Sequence, residues 1–242
     1  MRFAERVHAM HRFWRYRLKQ DRHELAFIRA HVAAGQTVLD VGANRGAYTY
    51  WLSKAVGPTG AVYAFEPQPE LARYVEDSKQ AFRLSNVTVI NKALSHVTGD
   101  VELFRPDCHP WGGGSLESFP DYEGTYITVS AQTLDDFVAP ERDLPAPISF
   151  IKCDVQDHEI RVLQGGERVL QEHRPMLLLE CMPNCWDELS SYLDSIGYLG
   201  THVVVNHKLY AFDNKDWERD YDKILGNFFF VHQSRAGKRR AA

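Results

Sequence analysis

The chain has 242 residues, 44% hydrophobic and 25% charged, an ordinary balance for one folded α/β domain with a sizeable core and too apolar for a disordered chain. Its formal net charge of −4 is uneven, since residues 1–29 hold eight Lys or Arg against three Asp or Glu and Arg235, Lys238, Arg239 and Arg240 crowd the other end, leaving an acidic middle. An acidic body excludes broad nucleic-acid binding, which needs basic surface against phosphate, and no apolar run approaches the roughly 20 residues of a membrane span.

Residues 1–34 read as one or two helices, because Phe3, Val7, Met10, Phe13 or Trp14, Leu18, Leu25 and Ile28 recur at spacings of three and four. Such an appendage caps a sheet, where it covers a cofactor or contributes to a homodimer. Its basic face is a solvated surface or a contact for an anionic substrate or membrane surface. His8, His11 and Arg15 are surface residues or line a substrate entrance.

The segment 37–48, T-V-L-D-V-G-A-N-R-G-A-Y, joins a buried parallel strand to a glycine turn and then to a helix. Ligands of doubly wound α/β folds bind at such a turn. A dinucleotide fingerprint needs G-x-G-x-x-G, but Asn44 stands at its second glycine and Asp40 puts a carboxylate where a diphosphate would be repelled. An ammonium suits Asp40 better. Glu66, twenty residues past Gly46 and directly after the next strand A-V-Y-A-F, is suited to accept from the two hydroxyls of a ribose. An amino-acid head group and a ribose together specify S-adenosylmethionine. Gly42, Asn44, Gly46 and Tyr48 of the turn, with Glu66 and Pro67, are cofactor-binding candidates.

Pro69 opens a helix over 69–84, and 86–91 is a third strand, which sets Asn91 and Ala93 on the same edge as candidates for the adenine. Residues 100–105 and 126–131 alternate with period two and read as paired strands. The insert between them, 106–124, contains C-H-P-W-G-G-G-S-L, and a loop of that length is functional or mobile. His109, Trp111 and Ser115 are its candidates for acceptor contact. A helical turn at 133–137 precedes a fourth parallel strand at 148–155, a helix marked by Ile160, Val162, Leu163 and Val169, and a fifth strand at 175–181 tipped by Glu180. A helix over 184–196 and strands at 198–205, 208–212 and 227–232 complete the fold, and the basic tail 235–242 reads as disordered. Cys108, Cys153, Cys181 and Cys185 form no C-x-x-C pair, so reduced thiols and a cytoplasmic setting are expected, without a zinc site.

Four ordered blocks, T-V-L-D-V-G-A-N-R-G-A-Y-T, A-F-E-P-Q-P, N-K-A-L-S and I-K-C-D-V-Q-D-H-E-I-R-V-L-Q-G-G, resemble the FkbM family of S-adenosylmethionine-dependent methyltransferases over about 35–180. The resemblance implies a class I methyltransferase fold: a Rossmann-like, mostly parallel seven-stranded sheet with helices on both faces and an antiparallel edge, here spanning 35–234. It also implies O-methylation, commonly of sugar or natural-product hydroxyls, so the acceptor partner is a small molecule or glycan. The departure is in the fourth block, where the family usually has D-V-E-G and this chain has Asp154, Val155, Gln156 and Asp157.

A sugar hydroxyl needs its proton removed, or a metal to lower its pKa. His158 is the expected general base, as its ordinary pKa near 6.5 suits neutral pH, with Asp154 orienting it or touching the cofactor. Asp154 and Glu180 offer a carboxylate pair for Mg²⁺ as the rival route, and His109 is the next candidate base. Amino-methylation of nucleic-acid bases calls for an Asp/Asn-Pro-Pro-aromatic motif after the fourth strand, which Asp154-Val155-Gln156-Asp157 is not. The reading from another class is a silent cofactor-binding scaffold.

Overall fold

The computed structural model describes residues 1–107, 113–117, 122–139, 144, 146–221 and 225–236. His109, Trp111 and the tail beyond 236 therefore lie outside the described residues.

The chain opens with α1 (Phe3–Arg15), a π-helical turn (Tyr16–Gln20) and α2 (Arg22–His31). The central sheet is then laid down by β1 (Thr37–Val41), α3 (Ala47–Val56), β2 (Ala61–Phe65), α4 (Pro69–Ala81) and β3 (Val87–Ile90). A side sheet follows from β4 (Ala93–Leu94), β5 (Gly99–Pro106) and β6 (Gly124–Gln132), where β5 and β6 pair as expected and run antiparallel. After α5 (Leu134–Phe137) the chain returns to the central sheet through β7 (Ile148–Cys153), α6 (Glu159–Gln164), α7 (Glu167–His173) and β8 (Met176–Cys181). It closes with α8 (Trp186–Ser195), β9 (Tyr198–Val205), β10 (Lys208–Ala211), α9 (Asp216–Tyr221) and β11 (Gly226–His232).

The strand order is β10-β9-β11-β8-β7-β1-β2-β3. The five strands from β3 to β8 run parallel, and β11 inserts antiparallel between β8 and β9. The sheet thus has eight strands where the family resemblance implies seven, and the strand expected at 208–212 is present as β10, which folds back on β9 at the outer edge. A second difference is at 160–173. One helix is expected there, but the chain breaks at Gly165 and Gly166, where a Cβ on Gly165 would stand 2.0 Å from the Ser95 carbonyl oxygen.

Burial follows the two-residue period of the strands. Leu39, Ile151, Leu177 and Leu179 enter the core under α5 to α8, while Val38, Phe150 and Leu178 enter the core under α2 and α3. Both faces are covered, which is why these strands read as continuous apolar runs. Truncating one such leucine to alanine costs about 2–5 kcal/mol. The charged side chains Asp40, Glu66, Lys152, Asp154 and Glu180 gather at the carboxyl edge of the sheet, where the parallel strands end together.

Candidate active site

The glycine turn is shaped by backbone that most residues avoid. Gly42 has φ of +76°, and a Cβ there would lie 1.9 Å from the Asp154 carbonyl oxygen, so only glycine lets the β1 and β7 ends approach. Asn44 has φ of 49° and Gly46, preceding α3, has φ of 74°. The Asn44 amide donates to Glu66 Oε2 at 2.7 Å and the Gln68 amide to Glu66 Oε1 at 3.0 Å. Glu66 is buried, and burial raises its pKa to about 7 against the pull of those two amides. Asn91 Nδ2 donates to the carbonyls of Glu66 and Pro67 at 2.9 Å each, bracing the loop.

Behind this turn lies a buried charge cluster. Asp40 is fully buried, accepts from Thr49 Oγ1 at 2.5 Å, and has Lys152 Nζ 3.6 Å from its second oxygen. Lys152 also donates to the Gly42 carbonyl at 2.9 Å and pairs with Asp154 Oδ2 at 3.2 Å. Burial opposes its charge, but Asp154, Asp40 and Glu180 outweigh burial and hold Lys152 protonated above the ordinary range. Gln156 Nε2 donates to Asp154 Oδ1 at 3.2 Å and to Glu180 Oε2 at 2.9 Å. Burial pushes both acids toward neutrality. At Asp154 the Lys152 ammonium and hydrogen bonds from Glu180 and Gln156 prevail and lower the pKa, while at Glu180 burial and the Asp154 charge raise it strongly.

Three cavities meet at this cluster. The largest, about 360 Å³, lies between the N-terminal helices and the sheet edge and is lined by Asp21, Glu24, Asn44, Tyr48, Asp154 and Glu180 among others. A cavity of about 220 Å³ is lined by Tyr122, Gln156, Glu180, Met182 and Leu225, and one of about 70 Å³ by Glu66, Pro67, Ala93, Asp154, Gln156 and His158. Asp154 borders the first and third, Gln156 the second and third, and Glu180 the first and second. Asp40, Gly46 and Asn91 line none of them. Tyr48 is buried, donates to Asp21, and has the Lys152 ammonium 5.1 Å from its ring centre.

His158 shares the cavity of about 70 Å³ with Asp154, but its ring nitrogens are taken by other partners than the expected carboxylate. It is buried, with Nε2 2.9 Å from Ser95 Oγ and Nδ1 2.6 Å from Glu117 Oε1. Both ring nitrogens are thus engaged, and burial lowers its pKa despite the Glu117 charge. The order Ser95, His158, Glu117 has the connectivity of a nucleophilic triad, but Ser95 is 1% exposed and lines no cavity described above. Ser115 Oγ donates to the Gln156 carbonyl at 2.5 Å, so with Glu117 it ties this part of the insert to the loop after β7. Glu159 accepts from the Val155 amide at 2.7 Å in the first turn of α6, and burial raises its pKa to about 8.

The departures in the fourth block have local reasons. Asp157 has φ of 71°, in the left-handed region that glycine favours and that Asp also visits, and Gln156 supplies an amide between two acids. Sequence reasoning missed Lys152, Gln156 and Glu117 as members of the site. A lysine inside the apolar run I-S-F-I-K-C was the available signal, because a lysine buried there needs carboxylate partners.

Residues 40–200 match the methyltransferase FkbM domain family. The chain belongs to that family. Among relatives, this FkbM-family protein is 28% identical over 167 residues to the hexuronic acid methyltransferase AglP of Haloferax volcanii, covering 68% of this chain and 64% of that one. The methyltransferase FkbM of Methylobacillus flagellatus superposes with a TM-score of 0.54 at 17% identity, over 80% of this chain and 43% of that one. The Aeropyrum pernix fibrillarin, in a complex with natively bound S-adenosyl-L-methionine, gives a TM-score of 0.50 at 13% identity over 86% and 74%. These likenesses establish the class I methyltransferase fold. This FkbM-family chain spans less than two thirds of the length of AglP and less than half of the Methylobacillus chain. Among the described residues no group of three or more His, Cys, Asp or Glu is arranged to hold a metal, and no helix is long and apolar enough to cross a membrane.

Proposed function

We propose that this protein is an S-adenosylmethionine-dependent O-methyltransferase acting on a hydroxyl of a sugar or glycosylated small molecule. The observation that carries the reading is the convergence of three cavities on Asp154, Gln156 and Glu180, beside the glycine turn. The cofactor, when bound, supplies an electrophilic methyl group. Glu66 and Ala93 suit its adenosine, with Glu66 accepting from the ribose hydroxyls. Gly42 and Asn44 suit its amino-acid end, where a side chain at Gly42 has no room, and Gly46 shapes the turn into α3 from behind. The buried Asp40 acts behind the turn by holding Lys152.

The hydroxyl proton of the acceptor passes to Asp154, the ionised member of the acid pair, as oxygen takes the methyl group. Lys152 keeps Asp154 ionised and Gln156 fixes its orientation. General-base help of this kind is worth about 10²–10⁴ in rate. Mg²⁺ fits the donor set poorly, because a dication at Asp154 and Glu180 would displace the Lys152 ammonium and the Gln156 amide from a buried site. The likeness to a hexuronic acid methyltransferase supports a sugar acceptor.

Calorimetry with S-adenosylmethionine and a methyl-release assay over neutral sugars and uronic acids test the proposal. Micromolar cofactor binding, about 8 kcal/mol, with turnover on a sugar is expected. Binding without turnover on any acceptor would favour a silent cofactor-binding protein, and preference for NAD would remove the cofactor reading.

A further inference from the structure

The outer side of the N-terminal helices carries large apolar side chains that the core leaves uncovered. Phe3, Val7, Trp14 and Leu18 are 81%, 54%, 42% and 62% exposed. Their spacings of four, seven and four residues place them on one helical face. The opposite face of the same helix is the one that packs inward, with Ala9 and Phe13 fully buried against Ala47, Tyr50 and Phe82. A single exposed leucine is ordinary, but four large apolar groups in helical register mark a contact surface.

Positive charge borders the stripe. Arg2, Arg6, Lys19 and Arg22 are exposed, and the Arg17 guanidinium lies 5.1 Å from the Trp14 ring centre and 4.3 Å from that of Trp51. This end of the molecule is cationic while the chain as a whole is at −4. An anionic plane would therefore attract the helices and repel the body, fixing one orientation. Pairing the stripe with itself in a second copy would bring two cationic segments together. The other large exposed apolar residues among those described, Val97, Tyr122, Tyr126, Met182, Leu199 and Leu209, belong to other segments and add nothing to the stripe.

We propose that this face docks on the surface of an anionic lipid bilayer, with α1 and the π-helical turn lying in the interface plane. Phe3, Val7, Trp14 and Leu18 then enter the boundary between headgroups and acyl chains, and the flanking Arg and Lys meet lipid phosphates. Trp, Phe and Leu on one side with Arg and Lys beside them is the composition of such interfacial helices. Arg12, Arg15, Tyr16 and Gln20 of the same segment line the largest cavity, so docking would hold that cavity close to the lipid surface. The proposal does not depend on which acceptor is methylated.

The test is cosedimentation of the full chain with vesicles of phosphatidylcholine alone and of phosphatidylcholine mixed equally with phosphatidylserine. Binding to the mixed vesicles is expected, weakened by added salt because exposed charges are screened. The double variant Phe3→Ser, Leu18→Ser and the double variant Arg6→Glu, Lys19→Glu should each lower the affinity about tenfold or more. All four positions are exposed, and matching far-UV circular dichroism shows that the fold is kept. The proposal is overturned if the wild type ignores anionic vesicles, or if neither double variant alters binding. It is also overturned if ultracentrifugation finds a dimer that Phe3→Ser, Leu18→Ser dissociates while vesicle binding stays absent, which would make the stripe a self-association surface.

Discussion

Asp154 and Glu180, at the ends of neighbouring parallel strands, are driven to opposite protonation states by one shared environment. Burial acts on both, but the Lys152 ammonium 3.2 Å from Asp154 holds that carboxylate below its ordinary range, and the Asp154 charge keeps the proton on Glu180. A depressed pKa at the proton acceptor means that it is already ionised at neutrality. The turnover number should therefore be flat through pH 6.5 and fall only under acid conditions, where Asp154 gains its proton. Asp154→Asn should lower turnover by about 10²–10⁴-fold. Burial also lowers the His158 pKa, so the variants decide: an acid limb kept in Asp154→Asn and lost in His158→Ala would instead return the role of base to His158.

Gln156 governs that pair through one amide nitrogen. Replacing it with the family's more usual residue, in Gln156→Glu, puts a third acid within reach of Asp154 Oδ1 and Glu180 Oε2. An additional negative charge disfavours ionisation of its neighbours. The acid limb of the pH–rate profile should move to higher pH, with less effect on the plateau rate. An unmoved limb would show that the amide bridge does not set the charge state of the pair.

His158→Ala separates chemistry from architecture. The side chain joins Ser95 to Glu117 and so ties β4, the insert and the start of α6 together. Its loss should cost about 2 kcal/mol of stability, the scale of a hydrogen bond to a charged group, while turnover stays within about tenfold. Urea midpoints and single-turnover rates measured on the same preparation decide this. A loss of 10² or more in the chemical rate at unchanged stability would make His158 a direct participant.

The fold was legible because its strands are continuous apolar runs separated by glycine and proline signals, and the ends of β1, β2, β7 and β8 carry Asp40, Glu66, Asp154 and Glu180 nearly in register. Harder to read was the direction in which each side chain points. Asp40 and Glu66 look equivalent in sequence, yet Asp40 faces inward to Thr49 and Lys152 while Glu66 borders a cavity. His158 follows the fourth strand as a base would, but Glu117, 41 residues earlier, claims its ring. Contacts of that range depend on how the side sheet docks, and no local pattern carries them. The edge strand β10 is short and mostly exposed, so its pattern gives little sign of which sheet it joins.

Glu66 gives the cofactor site its pH dependence. Its folded pKa of about 7 comes from burial, and ribose hydroxyls donate to the ionised form. Affinity for S-adenosylmethionine should rise with pH through about 7 and then level. Glu66→Gln should flatten the dependence, and Glu66→Ala should weaken binding about tenfold or more. Calorimetry across this range reads both effects, and an unchanged dissociation constant in Glu66→Ala would remove the ribose role.

Glu159 predicts a stability effect of definite sign. Burial raises its pKa from 4.5 to about 8, so the folded state holds this proton more tightly than the unfolded state does. The stabilisation is complete below pH 4.5 and is lost progressively as pH rises to about 8, because only the unfolded chain ionises freely in that window. A shift of this kind is worth on the order of a few kcal/mol. Glu159→Gln keeps an oxygen to accept from the Val155 amide and removes the ionisation. Asp21, Glu24 and Glu66 also have raised pKa values, so the wild-type curve alone mixes several groups. The difference between variant and wild type isolates one of them. Urea denaturation should find the variant gaining relative stability as pH rises from 4.5 to about 8 and holding that gain above it. Parallel curves for the two proteins would mean that Glu159 ionises in the folded protein as it does in the unfolded chain.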